Sequence, residues 1–133
     1  MSKLFVNLPI KDLEVSVAFF TKLGFTFNPQ FTDDKAACMI VGDDAFVMLL
    51  TNEFFETFTK KSLADATLTT EVIVAVSAES KEAVDTMVEA ALENGGKESN
   101  QLQDQGFMYS WSFKDLDDHL WEVIWMDPAT IES

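Results

Sequence analysis

The clearest alternation of apolar and polar positions is YSWSFKDLDDHLWEVIW, at residues 109–125. Two runs rich in aromatic and β-branched residues flank an acidic turn, which predicts a β-hairpin. Because side chains alternate across a strand, Glu122 shares one face of the second strand with Ile124, and the neighbouring Trp and Val residues share the other. The wide apolar face must be buried against other elements. We therefore expect the carboxylate of Glu122, on the opposite side of the strand, to face a hollow.

The N-terminal half follows a β-α-β-β-β order. Apolar residues alternate over residues 3–10, and the helical spacing that follows begins at the predicted N-cap Asp12 and ends at Gly24. Three more strands are predicted, at residues 26–32, 35–41 and 45–50. Residues 52–66 then break the alternation with a short Phe-rich helical turn and a polar stretch.

The C-terminal half repeats that order. A strand predicted at residues 71–76 is followed by a helix that begins at the N-cap Ser80 and stops at Asn94-Gly95-Gly96. A short strand at residues 97–99 and the hairpin complete it. We therefore predict an α+β fold of two tandem β-α-β-β-β modules in a single domain. Their approximate bounds are residues 1–60 for module 1, 61–67 for the connector and 68–133 for module 2.

The two halves can be aligned residue by residue. Ile10 is aligned with Val76 to superpose the first strands, and Asp44 with Asp118 to superpose the last hairpins. This alignment matches Phe5 with Glu71, Asn7 with Ile73, and Met48 with Glu122. Two half-domains that each leave a sheet uncovered are expected to stack and share a core.

Composition narrows the classes of function. The chain has 133 residues, 47 % of them hydrophobic, which is enough to bury a core. A formal charge of −14 repels phosphate backbones and anionic membranes, so neither nucleic acid nor a membrane is an expected partner. The single cysteine, Cys38, excludes an internal disulfide and a cysteine-based structural zinc site. No apolar run suits a membrane span or a signal peptide, so we expect a cytoplasmic protein.

Several motifs occur in a fixed order along the chain. They are Lys11-Asp12-Leu13-Glu14 at the first helix start, Lys22-Leu23-Gly24-Phe25 and Glu93-Asn94-Gly95-Gly96 at the helix ends, and Asp115 to Val123 in the hairpin. The set resembles the vicinal oxygen chelate superfamily, which includes glyoxalase I, bleomycin and fosfomycin resistance proteins and extradiol dioxygenases. The hairpin is similar to that superfamily's D-x-D-G-x-x-W-E motif, with Asp118 in the place of the glycine.

The resemblance implies paired sheets that curl into a cup, with metal ligands on the first and last strand of each module. The corresponding positions here are Phe5, Met48, Glu71 and Glu122. Only Glu122 fits the superfamily pattern, and Glu71 offers oxygen where nitrogen is usual. Two carboxylates without imidazole form a weak set for Zn²⁺, Ni²⁺ or Fe²⁺, so no metal ligands and no cofactor are predicted. The alternative is a divalent ion such as Mg²⁺, held by both carboxylates and water.

Glu71 and Glu122 are the candidate catalytic residues, and the register that the resemblance implies places both in one cavity. Burial and mutual repulsion would favour the protonated form of one of them, as in a general acid or base, or suit an acceptor for a cationic ligand. The alternative is that one or both are solvated or bonded to backbone. The candidate ligand-binding residues are Phe5, Asn7, Met48 and Ile73.

Phe54, Phe55 and Phe58 share one side of the short helical turn. We favour a core or dimer contact for them over a lid above the cup. A homodimer is implied by the resemblance.

The functional hypothesis is a protein that binds or transforms a small organic molecule in an apolar cup with acidic side chains, without a tightly bound transition metal. Two alternatives stay open. One is a divalent-metal-dependent lyase or dioxygenase, and the other is a non-catalytic protein that sequesters a small molecule or drug.

Overall fold

The computed structural model of the protein describes residues 2–131. The chain divides into two compact units, one ending at Ala64 and the other beginning at Asp65. This boundary lies inside the predicted connector at residues 61–67. The predicted α+β class is confirmed, since each unit combines a mixed sheet with helices. Within residues 2–131, no helix is both long and apolar enough to cross a membrane.

The N-terminal unit contains four strands and two α-helices: β1 (Leu4–Ile10), α1 (Leu13–Lys22), β2 (Thr26–Asn28), β3 (Ala36–Gly42), β4 (Ala45–Thr51) and α2 (Asn52–Glu56). The strands form one sheet in the order β1-β4-β3-β2. Strands β1 and β4 are parallel, and the other neighbours are antiparallel.

One face of this sheet is covered by α1. The helix begins where the Asp12 side chain accepts a hydrogen bond from the Val15 amide, and Gly24 follows its end at a φ of 106°. Its buried residues Phe19 and Phe20 form the core with the buried side chains of the strands. Burial of this apolar surface is the main stabilising term for the unit.

The strand predicted at residues 26–32 is shorter in the structure. It ends at Asn28, and Pro29–Phe31 form a 3-10 turn. Proline has a fixed φ and no amide hydrogen, so it cannot donate to a strand ladder. The Asn28 side chain accepts a hydrogen bond from the Gln30 amide at 3.0 Å and caps the turn.

The elements of the C-terminal unit are β5 (Ile73–Ser77), α3 (Lys81–Glu93), β6 (Lys97–Glu98), β7 (Gln103–Asp104), β8 (Met108–Lys114), β9 (Leu120–Met126) and α4 (Pro128–Ile131). Its five-stranded sheet has the order β5-β9-β8-β6, and β7 also pairs with β8. Strand β5 is parallel to β9, and β8 and β9 form the predicted antiparallel hairpin. Strand β7 lies between the predicted short strand at residues 97–99 and the predicted hairpin, in a stretch where no strand is predicted.

Helix α3 covers one face of this second sheet. Ser80 caps it by accepting a hydrogen bond from the Ala83 amide at 3.0 Å. The helix packs on β8 and β9, where the fully buried rings of Phe113 and Trp121 stack with their centroids 6.1 Å apart. The wide apolar face of the hairpin is therefore the core face, as the alternation predicts, and Glu122 is on the other face.

Strand register corrects the alignment of the two halves. In the N-terminal unit Asn7 pairs with Met48, and in the C-terminal unit Ala75 pairs with Glu122. Since Met48 corresponds to Glu122, Asn7 corresponds to Ala75. The helix N-caps agree, because each follows its strand residue by five positions.

Phe5 therefore corresponds to Ile73, and the predicted match of Phe5 with Glu71 is two residues out of register. The same shift applies to the match of Asn7 with Ile73. Side chains alternate with a period of two, so a displacement by two residues leaves every apolar face unchanged. The hydrophobic pattern alone cannot distinguish these two alignments.

Candidate functional site

The sheet of the C-terminal unit has one face that α3 does not cover, and Glu122 lies near its middle. Glu122 is half-buried and pairs with Ala75 on β5 and Ser112 on β8, so these three side chains share that face. Ile73, at 52 % exposure, lies on the same face, as does the half-buried Ile124. We call this surface the Glu122 face.

A hollow of about 410 Å³ opens on the Glu122 face beyond the glutamate. It is lined by Ala75, Val76, Ser77, Ala78, Ile124 and Met126. Its volume falls in the range of about 300–1,000 Å³ typical of small-molecule sites. The lining is mainly apolar, with a serine hydroxyl as its polar side chain.

The carboxylate of Glu122 is open to a ligand. Among residues 2–131, none forms a hydrogen bond or an ion pair with it. Ser112, directly across the strand pair, is already engaged, since its hydroxyl donates to the Asn100 carbonyl and accepts from the Asn100 amide. A half-buried carboxylate in this position can accept a proton or a hydrogen bond from a bound molecule.

Glu71 lies elsewhere than the predicted strand position. The strand begins at Ile73, and Glu71 is an exposed residue in the bend before it. Glu71 precedes Ala75, the partner of Glu122, by four residues in the chain. An extended segment of that length spans up to about 13 Å. Strand pairing does not place the two carboxylates side by side, because Glu122 is opposite an alanine.

The candidate residues of the N-terminal unit share a face of its own sheet. The ring of Phe5 is half exposed and stacks on Phe46 at a centroid distance of 5.0 Å. The neighbouring pair on that face is Asn7, which is exposed, and Met48, which is half-buried.

The Phe-rich segment forms part of a second cavity in this unit. Helix α2 packs on β1 and β4, and a cavity of about 160 Å³ is lined by Asn7, Leu50, Phe55, Phe58 and Thr59. Phe54 meets Phe58 edge to face with the centroids 5.1 Å apart, although Phe58 is 68 % exposed. The segment thus covers strands β1 and β4 only in part.

A buried aspartate in the hairpin turn organises the strand that carries Glu122. Asp115 accepts hydrogen bonds from the amides of Asp117 and His119 and from the indole Nε1 of Trp121. Burial raises the pKa of Asp115, against the lowering effect of nearby His119 and these donors. The sequence indicates these hydrogen bonds of Asp115 only through the hairpin motif, in which an aspartate stands six residues before the tryptophan.

The donor set fits the metal of the resembled superfamily poorly. In the corrected register its four ligand positions are occupied by Phe5, Met48, Ile73 and Glu122, of which one can ligate a divalent ion. The described part of the chain contains no group of three or more His, Cys, Asp or Glu residues arranged to hold a metal ion.

Comparisons with known proteins agree with this architecture. Residues 3–42 match the family described as bleomycin resistance protein-like N-terminal. A hypothetical protein from S. aureus shares 29 % identity and a TM-score of 0.78 over 93 % of each chain. No curated protein matches the sequence.

Two more distant structures share the fold. A glyoxalase/bleomycin resistance protein/dioxygenase family enzyme from Burkholderia phytofirmans PsJN has 16 % identity and a TM-score of 0.74, over 92 % of this chain and 96 % of that one. A fosfomycin resistance protein from Mesorhizobium loti has 14 % identity and a TM-score of 0.67, over 100 % and 97 % respectively.

Proposed function

We propose that this protein, which has the vicinal oxygen chelate fold that its motifs predict, binds a small organic molecule on the Glu122 face. The observation that supports this most directly is a half-buried carboxylate without a partner among residues 2–131, beside an apolar hollow of about 410 Å³. Small-molecule sites combine an apolar lining with a few placed polar groups, and Glu122 is directly opposite Ala75, which lines this hollow.

The apolar lining supplies binding energy without selecting orientation. Burial of about 200 Å² of apolar ligand surface is worth about 5 kcal/mol before the cost of association. That is enough only for weak binding, so affinity and orientation depend on the polar contact that Glu122 offers.

Transformation of the ligand would use the same carboxylate as general acid or base. Glu71 is a proposed second acid on the segment that leads into β5, and Phe5, Asn7 and Met48 stay proposed ligand-binding residues. A transition metal is not part of the proposal, because Glu122 alone among the superfamily's ligand positions supplies a suitable donor.

The proposal is tested by filling the hollow. Ala75→Phe places a large ring beside Glu122, and Ala64→Phe makes the same change at an exposed position near the unit boundary. A small-molecule collection is screened by thermal shift, and hits are measured by calorimetry on both variants. We expect Ala75→Phe to abolish binding of the hits and Ala64→Phe to retain it. Equal binding by both variants would overturn the proposal.

A further inference from the structure

We infer that the ligand of the Glu122 face is an apolar molecule with a protonated nitrogen at one end. This inference rests on the proposed function for the location of the site and goes further by naming the chemical class of the ligand.

Glu122 forms no ion pair within residues 2–131. Lys114 lies on the same face, where its backbone is opposite Leu120 in the strand register. Its ammonium group forms no ion pair with Glu122 in the described structure. Ser112 directs its hydroxyl to Asn100. An ammonium group that reaches the carboxylate therefore meets an acceptor that no side chain or amide of residues 2–131 occupies, and charge-assisted hydrogen bonds are roughly twice as strong as neutral ones.

The spacing of the strand sets the form of the ligand. Ile124 and Met126 follow Glu122 by two and four residues on β9, which corresponds to about 7 and about 13 Å along the strand. A molecule whose nitrogen lies at Glu122 can thus place an apolar body of that length in the hollow. The exposed Ala75 and Ser77 of β5 form the other wall and leave room for it.

The net charge of the whole chain also favours a cationic ligand. A formal charge of −14 attracts cations over a longer range than any single contact and repels anions. A carboxylate or phosphonate ligand would also place like charge next to Glu122. The site accordingly favours cations over neutral molecules and neutral molecules over anions.

Three probes of similar shape and different charge test the inference: phenylbutylamine, phenylbutanol and phenylbutyrate. Their affinities are measured by calorimetry at neutral pH on the wild type, Glu122→Gln and Glu93→Gln. Glu93 is an exposed residue of α3, the helix on the opposite face of the sheet, so its change removes the same charge elsewhere. Thermal unfolding of each variant verifies that it is folded.

We expect the amine to bind the wild type at least about tenfold more tightly than the alcohol, with the acid weakest. Glu122→Gln should remove the difference between amine and alcohol, and Glu93→Gln should preserve it. Equal affinities for amine and alcohol, or a preference that survives Glu122→Gln, would overturn the inference.

The experiments distinguish an error in the location of the site from an error in the charge class of the ligand. If amine and alcohol bind equally and Ala75→Phe abolishes both, the proposed function stands and the charge class is wrong. If Ala75→Phe leaves the binding of every probe unchanged, the location of the site is wrong. Absence of binding by all three probes contradicts both proposals.

Discussion

The indole Nε1 of Trp121 donates a hydrogen bond to the buried carboxylate of Asp115 at 2.9 Å. Trp121 is fully buried against Phe113 and directly precedes Glu122 on β9. The bond therefore joins the hairpin turn to the strand that carries the candidate site. A turn residue fixes the core face of the strand, and the alternation of the strand then fixes the direction of Glu122.

Asp115→Ala should lower the free energy of unfolding by about 3 kcal/mol, because it leaves the Trp121 N–H and two turn amides without their acceptor. Urea denaturation followed by tryptophan fluorescence measures the change. Asp43→Ala, at an exposed turn position, is the matched control and should change stability by less than about 0.5 kcal/mol. Similar values for the two variants would contradict a structural role for Asp115.

Because Tyr109 is the single tyrosine of the chain, a titration of tyrosine absorbance follows the ionisation of this one hydroxyl. Its hydroxyl donates to the Asp85 carboxylate at 2.6 Å, and this hydrogen bond together with burial raises the pKa of Tyr109 to about 12. Ultraviolet titration should show ionisation near pH 12 in the wild type. In Asp85→Asn the midpoint should move toward 10.

The raised pKa of Tyr109 makes the free energy of unfolding depend on pH. Because the pKa in the folded state is above the unfolded value of 10, the stabilisation from Tyr109 is complete below pH 10 and is lost as the pH rises through about 12. Circular dichroism at each pH verifies that the protein is folded. Ionisation near pH 10 in folded wild-type protein would show that the Asp85 hydrogen bond is absent.

Asp118 occupies a backbone conformation that favours glycine. Its φ is 64°, and the resembled hairpin motif has glycine at this position. Asp118→Gly should therefore be at least as stable as the wild type, although it loses an ion pair to Lys97 at 3.7 Å. Asp118→Ala should be about 1 kcal/mol less stable than Asp118→Gly, since alanine is strained there. Thermal or urea unfolding measures both, and an alanine variant more stable than the glycine variant would contradict the turn geometry.

The register of β5 against β9 can be tested by building a metal site. Ala75→His places an imidazole directly across from Glu122, whereas Glu71→His places one before the strand. We expect Ala75→His to bind Ni²⁺ about tenfold more tightly than Glu71→His, and the gain should vanish in Ala75→His with Glu122→Gln. Tighter binding by Glu71→His would favour the uncorrected alignment of the two halves.

The order of elements follows from the sequence because its signals are local. Asp12 and Ser80 cap the helices as the pattern predicts, and the hairpin at residues 109–125 forms with Trp121 on its core face. Each of these features depends on side-chain periodicity or on a hydrogen bond across a few residues. Such signals are present in any single sequence.

The site is harder to predict because it depends on strand register and on the start of β5. The sequence favours Glu71 as a strand residue, yet the strand begins at Ile73, and Ala75 is opposite Glu122. Pairing partners are set by non-local contacts, and a shift by two residues costs nothing in the apolar pattern. The sequence therefore predicts the direction of Glu122 and the face that it shares with Ile73 and Ile124, but not its pairing partner Ala75.

The most direct test of the proposed site is chemical-shift mapping of backbone amides by NMR during titration with phenylbutylamine. We expect the largest shifts on the Glu122 face, at Ala75, Ser77, Glu122 and Ile124. Shifts confined to α3 and the face that it covers, around Val84 and Val88, would contradict the proposed location of the site.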